Sequence, residues 1–168
     1  MYNIFWISTL QNNSFGEVTK KYYNAIKKFS NWNITHIDVG DKYVLQKIIA
    51  AQPDIVIVLW NDKDIKHLSE YLYTIRDKWN GKFAPFVPID YEKPIVKLID
   101  YKCDFYLSLN DWGTNILNKL IDDKPVFTLE HIVSGFTEYS LLKREQVKQQ
   151  FWSDKFKDHF IIGCVNAN

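Results

Sequence analysis

A doubly wound α/β fold is the class this sequence predicts, and three observations predict it. Short apolar runs alternate with amphipathic helical stretches along the whole chain. The strongest run, Ile55-Val-Ile-Val-Leu-Trp60, is continuous and mostly β-branched, the mark of a parallel strand buried on both faces. Hydrophobic residues make up 46 % of the 168 positions and aromatics 16 %, enough for a core in one domain and too much for a disordered chain. A mostly parallel sheet of about six to seven strands follows, with right-handed crossovers placing helices on both faces.

Taken in order, Tyr2 to Leu10 is the first strand, and the polar stretch Gln11 to Gly16 is a loop with Ser14 as the expected cap. Glu17 to Phe29 reads as a helix with Val18, Tyr22, Ala25, Ile26 and Phe29 along one face. Ile34 to Val39 is a strand and Tyr43 to Ala51 a helix. After the central strand, Asn61 or Asp62 caps a helix carrying Ile65, Leu68, Leu72 and Ile75. Lys82 to Ile89 is the fourth strand, and Pro85 and Pro88 predict that it is irregular or close to an edge. Then come a helix at Ile95 to Tyr101, a strand at Asp104 to Leu109, a helix at Trp112 to Ile121 and a strand at Val126 to Leu129. A helix from Leu141 to Trp152 and a last apolar run, Phe160 to Val165, complete the pattern.

Charge and residue usage exclude several functions. Twenty-one basic residues balance 20 acidic ones, so the dedicated basic face of a nucleic-acid binder is not expected. Only Arg76 and Arg144 are arginines, leaving few bidentate forks for phosphate or carboxylate. Basic residues on the first helix (Lys20, Lys21, Lys27, Lys28) and at Lys143 to Lys157 are interleaved with aromatics, as on a membrane or nucleic-acid surface, but Glu17, Glu145, Asp154 and Asp158 dilute them, and a solvated face is expected. Cys103 and Cys164 are far apart and lie in or beside apolar runs, as buried reduced thiols do. No run reaches the length of a membrane span, and Met1 to Leu10 lacks the cationic start of a signal peptide, so a cytoplasmic location is expected. His36, His67, His131 and His159 show no metal-ligand spacing, and no nucleophile elbow is present. Asp62-Lys63-Asp64 has the Asp-x-Asp spacing of some metal-dependent sugar transferases, but at a helix start such carboxylates are stabilised without a metal.

In a doubly wound sheet the ligand sits beyond the carboxyl ends of the strands. The candidate loops are therefore Ser8–Gly16, Asn61–Asp64, Asp90–Lys93, Ser108–Gly113 and Glu130–Gly135. The first is small and polar without a dinucleotide or Walker fingerprint, so it is either an anion-facing helix start or an ordinary turn.

Several segments, in order, resemble the N-terminal domain of GT-B fold glycosyltransferases of the large retaining group. Pro53-Asp54-Ile-Val-Ile-Val is similar to a family strand, as are Phe86-Val-Pro-Ile-Asp90 and Asp104-Phe-Tyr-Leu-Ser108. Val126-Phe-Thr-Leu-Glu-His131-Ile-Val-Ser resembles a strand that ends in His-Gly-Val-Asp, with Ile132 and Ser134 replacing the Gly and Asp. Leu142 to Val147 and Phe160 to Asn168 resemble the inter-domain helix and the start of the second domain, with Ala167 where an arginine is usual. The resemblance implies a Rossmann-like acceptor-side domain over residues 1–158 and the first strand of a donor-binding domain over 159–168. It implies transfer of a sugar from a nucleotide-sugar to a glycan, lipid or protein acceptor, with no cofactor and no required metal. It gives Asp90 a catalytic position, brings Gly16 toward the donor phosphates, and places Ser108 and His131 at the cleft or hinge; Ser14, Phe15 and Asn61, in the candidate loops, complete the expected substrate- and donor-binding set. The family's phosphate-binding Lys/Arg pair would lie beyond residue 168, so the chain alone is expected to be inactive. A flavodoxin-like module binding a small ligand and a non-catalytic interaction domain are the alternatives.

Overall fold

A computed structural model describes residues 1–11, 13–89 and 101–130. The expected helices at 95–101 and 141–152, the strand at 160–165 and the boundary at 158 lie wholly or largely outside them; Tyr101 is described and is not helical. The described elements are β1 (Asn3–Ser8), α1 (Ser14–Phe29), β2 (Asn33–Asp38), α2 (Val44–Ala51), β3 (Ile55–Val58), α3 (Asp62–Thr74), β4 (Lys82–Val87), β5 (Tyr106–Ser108), α4 (Asp111–Leu120) and β6 (Val126–Thr128). All six strands are parallel, in the order β2-β1-β3-β4-β5-β6. This is the Rossmann-like doubly wound architecture that the alternating pattern predicts.

Strand alternation divides the core in two. Ile4 and Trp6 of β1, Ile57 of β3 and Phe86 of β4 face α1 and pack with its Val18 and Tyr22. Phe5, Ile7, Val56, Val58 and Phe83 point the other way, against Ile48 of α2, Ile65 and Leu72 of α3, and Ile116 and Leu117 of α4. The central strand is buried on both faces, as its continuous apolar run requires. Cys103 is a free, partly buried thiol, and burial pushes it up to about 12.

Two expectations need correction. β4 is not at an edge: it lies between β3 and β5. The proline is accommodated at a change of partner, because Lys82 to Pro85 register with β3 while Phe86 and Val87 register with β5. Phe29 is not on the buried face of α1 but is 78 % exposed. A 16-residue helix is about 24 Å long and a 6-residue strand about 20 Å, so the last turn of α1 overhangs the sheet.

Three helices start at the carboxyl end of the sheet with the same device. Asn13, Asn61 and Asn110 are the N-caps of α1, α3 and α4, each accepting from the backbone N–H three residues on. The acceptor distances are 2.8 Å from Gly16, 3.1 Å from Asp64 and 2.7 Å from Gly113. Asn13, not Ser14, caps α1, which therefore starts three residues before the position periodicity suggests.

Candidate functional site

The winding reverses between β1 and β3: the chain leaves β1 for β2 on one side and returns to β3 on the other. Ligand crevices form at such a reversal, between the loops that follow the two strands. The order β2-β1-β3-β4-β5 is the flavodoxin-type variant of the arrangement, with β6 added at the far edge.

The two loops meet through aromatic rings. Phe15, in the first turn of α1, packs against Trp60, just after β3, with ring centroids 5.1 Å apart. Trp60 is fixed from below by its Nε1–H, which donates to Asp64 Oδ2 at 2.9 Å. Asn61 Nδ2 donates to the same carboxylate oxygen at 2.6 Å, while Asn61 Oδ1 accepts from the Asp64 N–H. Asp64 Oδ2 is thus committed to a reciprocal capping arrangement with Asn61. Among the described residues no group of three or more His, Cys, Asp and Glu converges as a metal site.

On the other side of Trp60 a cavity of about 580 Å³ opens between the start of α2 and α3. Trp60, Asp64, His67 and Tyr71 line it from α3 and its approach, and Asp41 and Lys42 from the loop after β2. Asp64, His67 and Tyr71 share one helix face by their spacing. Asp41 is held below the usual carboxylate range, first by the Lys47 ammonium and then by the Tyr43 N–H. The rim therefore bears aromatic, imidazole and carboxylate groups, with Lys42 its single lysine and no arginine.

The remaining first-loop residues close on themselves. A Cβ on Gly16 would stand 1.8 Å from the Gln11 carbonyl oxygen, so the loop backbone occupies the space over this glycine. Ser14 is exposed at the helix start. Ser8 and Thr19 are fully buried, and the Thr19 hydroxyl donates to Ser8 Oγ at 2.8 Å while accepting from the Trp6 indole at 3.3 Å. His36, on the same face of β2, is held neutral at lower pH than usual, chiefly by burial, with the Ser8 backbone and Asp38 opposing.

Ser108 stands apart from this rim, at the end of β5. It is 1 % exposed, its hydroxyl donates to the Asn110 carbonyl at 3.3 Å, and Gly113 closes over it. The structure brings Phe15, Gly16 and Asn61 to the reversal point and leaves Ser108 under the start of α4. Asp90 and His131 lie outside the described residues. Trp60, His67 and Tyr71 were not singled out by motif, although a tryptophan closing the central strand was a visible signal.

A second cavity, of about 530 Å³, lies toward the amino ends of the strands. Lys66, Arg76, Lys102 and Lys124 line it together with Glu70 and Asp104. Its arginine is structural: Arg76 donates to the Gly81 carbonyl at 2.6 Å and to Asp104, and its guanidinium stacks 5.1 Å from the Trp79 ring centroid. No family model matches the chain, and no curated protein matches its sequence.

Proposed function

We propose that this chain is the acceptor-side domain of a glycosyltransferase that uses a nucleotide-sugar donor, and that the rim around Trp60 receives the acceptor. The composition of that rim carries the reading. A sugar presents C–H faces that pack on aromatic rings and hydroxyls that pair with amides and carboxylates. Trp60 and Tyr71 supply the rings, with Phe15 packed on Trp60, and His67 and Asp64 Oδ1 supply the polar groups. A phosphate would instead call for arginines and unsatisfied backbone N–H groups. Here Asn13 Oδ1 takes the Gly16 N–H, and Glu17 puts a negative charge in the first turn of α1. That polarity counts against the approach to the donor phosphates that the resemblance gives Gly16, and it suits a nucleotide-sugar held mainly by the other domain. The acceptor class that fits is neutral and hydroxyl-rich: a glycan, free or carried on lipid or protein.

Saturation-transfer NMR with a panel of neutral oligosaccharides tests the reading on the 168-residue chain. Saturation of sugar C–H protons is expected, and Trp60→Ala weakens binding about tenfold or more, as loss of a central aromatic anchor does. Absence of binding across the panel, or binding unaffected in Trp60→Ala, contradicts it. The strand order favours a second reading, a flavodoxin-like module with a flavin beside Trp60. A shifted, quenched flavin spectrum on adding FMN would select that reading.

A further inference from the structure

Three exposed rings lie at the amino-terminal edge of β1 and β2. Phe29 is 78 % exposed, Tyr2 54 % and Trp32 43 %. Phe29 ends α1, and the following turn is tightened by Ser30, whose Oγ accepts from the Trp32 N–H at 3.1 Å. Trp32 meets Tyr2 edge-on, ring centroids 5.8 Å apart, where the Asn33 N–H donates to the Tyr2 carbonyl. Two exposed lysines border these rings. Lys28 Nζ lies 5.1 Å from the Phe29 ring centroid, and Lys27 Nζ 4.5 Å from that of Tyr23. Glu17, the acidic residue of α1, is at the opposite end of the helix. Asp54 is also near this edge, and its carboxylate accepts from the Asn3 N–H at 2.7 Å.

We infer that this edge is a docking surface for an anionic lipid bilayer, with Phe29 and Trp32 entering the headgroup boundary and Lys27 and Lys28 facing lipid phosphates. Tryptophan and tyrosine are the side chains that suit that boundary, apolar at one end and hydrogen-bonding at the other. A lysine stem lies along apolar surface while its ammonium reaches the charged layer. A second copy of the chain fits less well. Three rings of about 150–250 Å² each, about half exposed, fall short of the roughly 800 Å² per partner of a stable interface. A symmetric contact would also set the lysine pairs against each other. The surface lies at the end of the sheet opposite the Trp60 rim and stands independently of any function assigned there.

Co-sedimentation of the 168-residue chain with phosphatidylcholine vesicles, with and without phosphatidylglycerol, tests the inference. Binding is expected with phosphatidylglycerol and is weakened by added salt. Lys27→Gln and Lys28→Gln each weaken it about five-fold. Phe29→Ser, at a side chain with few contacts to lose, abolishes it and leaves the melting temperature and Trp60-dependent glycan binding unchanged. Failure of the wild type to sediment with these vesicles overturns the inference, as does a Phe29→Ser variant that binds equally well. So does a concentration-dependent dimer dissolved by Phe29→Ser without vesicle binding, which would give the surface to a second copy.

Discussion

Gly16 has no room for a side chain, because a Cβ there would overlap the Gln11 carbonyl, which is backbone and cannot swing aside. Gly16→Ala is expected to cost about 2 kcal/mol, the scale of a small-to-large change in a packed site, read as a lowered midpoint in urea. Asp104 organises the opposite end of the sheet, accepting from Arg76, Lys82 and the Phe83 N–H. Burial alone would raise its carboxyl, but the Phe83 N–H, Arg76 and Lys82 outweigh that and hold it below the usual range. Its stabilisation is therefore complete above the unfolded value of about 4 and is lost as the pH falls further. Asp104→Asn should cost about 2 kcal/mol at neutral pH, and the gap from the wild type should close in acid. Tyr22 works at the alkaline end. Its buried hydroxyl donates toward the Leu129 and Glu130 carbonyls, and burial, then Glu130, pushes it up to about 12. The folded chain keeps that proton longer than the unfolded one, so stability falls as pH rises from about 10 to about 12. Tyr22→Phe should lack that part of the alkaline decline in denaturation curves taken across this range.

At the scale of elements, what could be read in the sequence follows from which forces act locally. Six strands and four described helices were legible, because burial on one or two faces leaves a period in the sequence. Helix starts were less so. Ser14 and Asn13 are both good caps, and only the geometry shows that Asn13 bonds Gly16. The recurrence of Asn at three helix starts, with Gly, Asp and Gly three residues on, was visible in the sequence once its meaning is known. Replacing Asn13 or Asn110 by Ala should each cost about 1 kcal/mol, and the two losses should add because the caps serve separate helices. Thermal melts of the single and double variants check this. Pro85 and Phe29 misled for a common reason. A proline says that an N–H is missing but not which neighbour needs it, and a helical stripe does not say where the sheet beneath it ends.

At the scale of the whole molecule, the strand order decides where to look. Alternating strands and helices predict the doubly wound class but not which strands are neighbours, since β3 lies beside β1 only through the crossover. With that order known, the loops after β1 and β3 become the place for a ligand, and Phe15 and Trp60 meet there. The first loop and Asn61 were legible as candidates because they follow strands. Trp60, His67 and Tyr71 were not, because no motif joins residues that only the fold brings around one cavity. Ser108 was legible as a strand-end serine, yet Gly113 and Asn110 enclose it. Among the described residues no helix is long and apolar enough to cross a membrane.

The central claim is that the rim beside Trp60 receives a neutral, hydroxyl-rich ligand. The indole N–H signals of isotope-labelled protein test it most directly, with the Trp60 signal assigned by its loss in Trp60→Phe. Titration with neutral oligosaccharide should move that signal, because Trp60 bonds Asp64 at the rim, and leave that of Trp79 still, because its N–H is buried against the Pro53 carbonyl. A Trp60 signal that stays in place with every oligosaccharide and moves with FMN would contradict the claim.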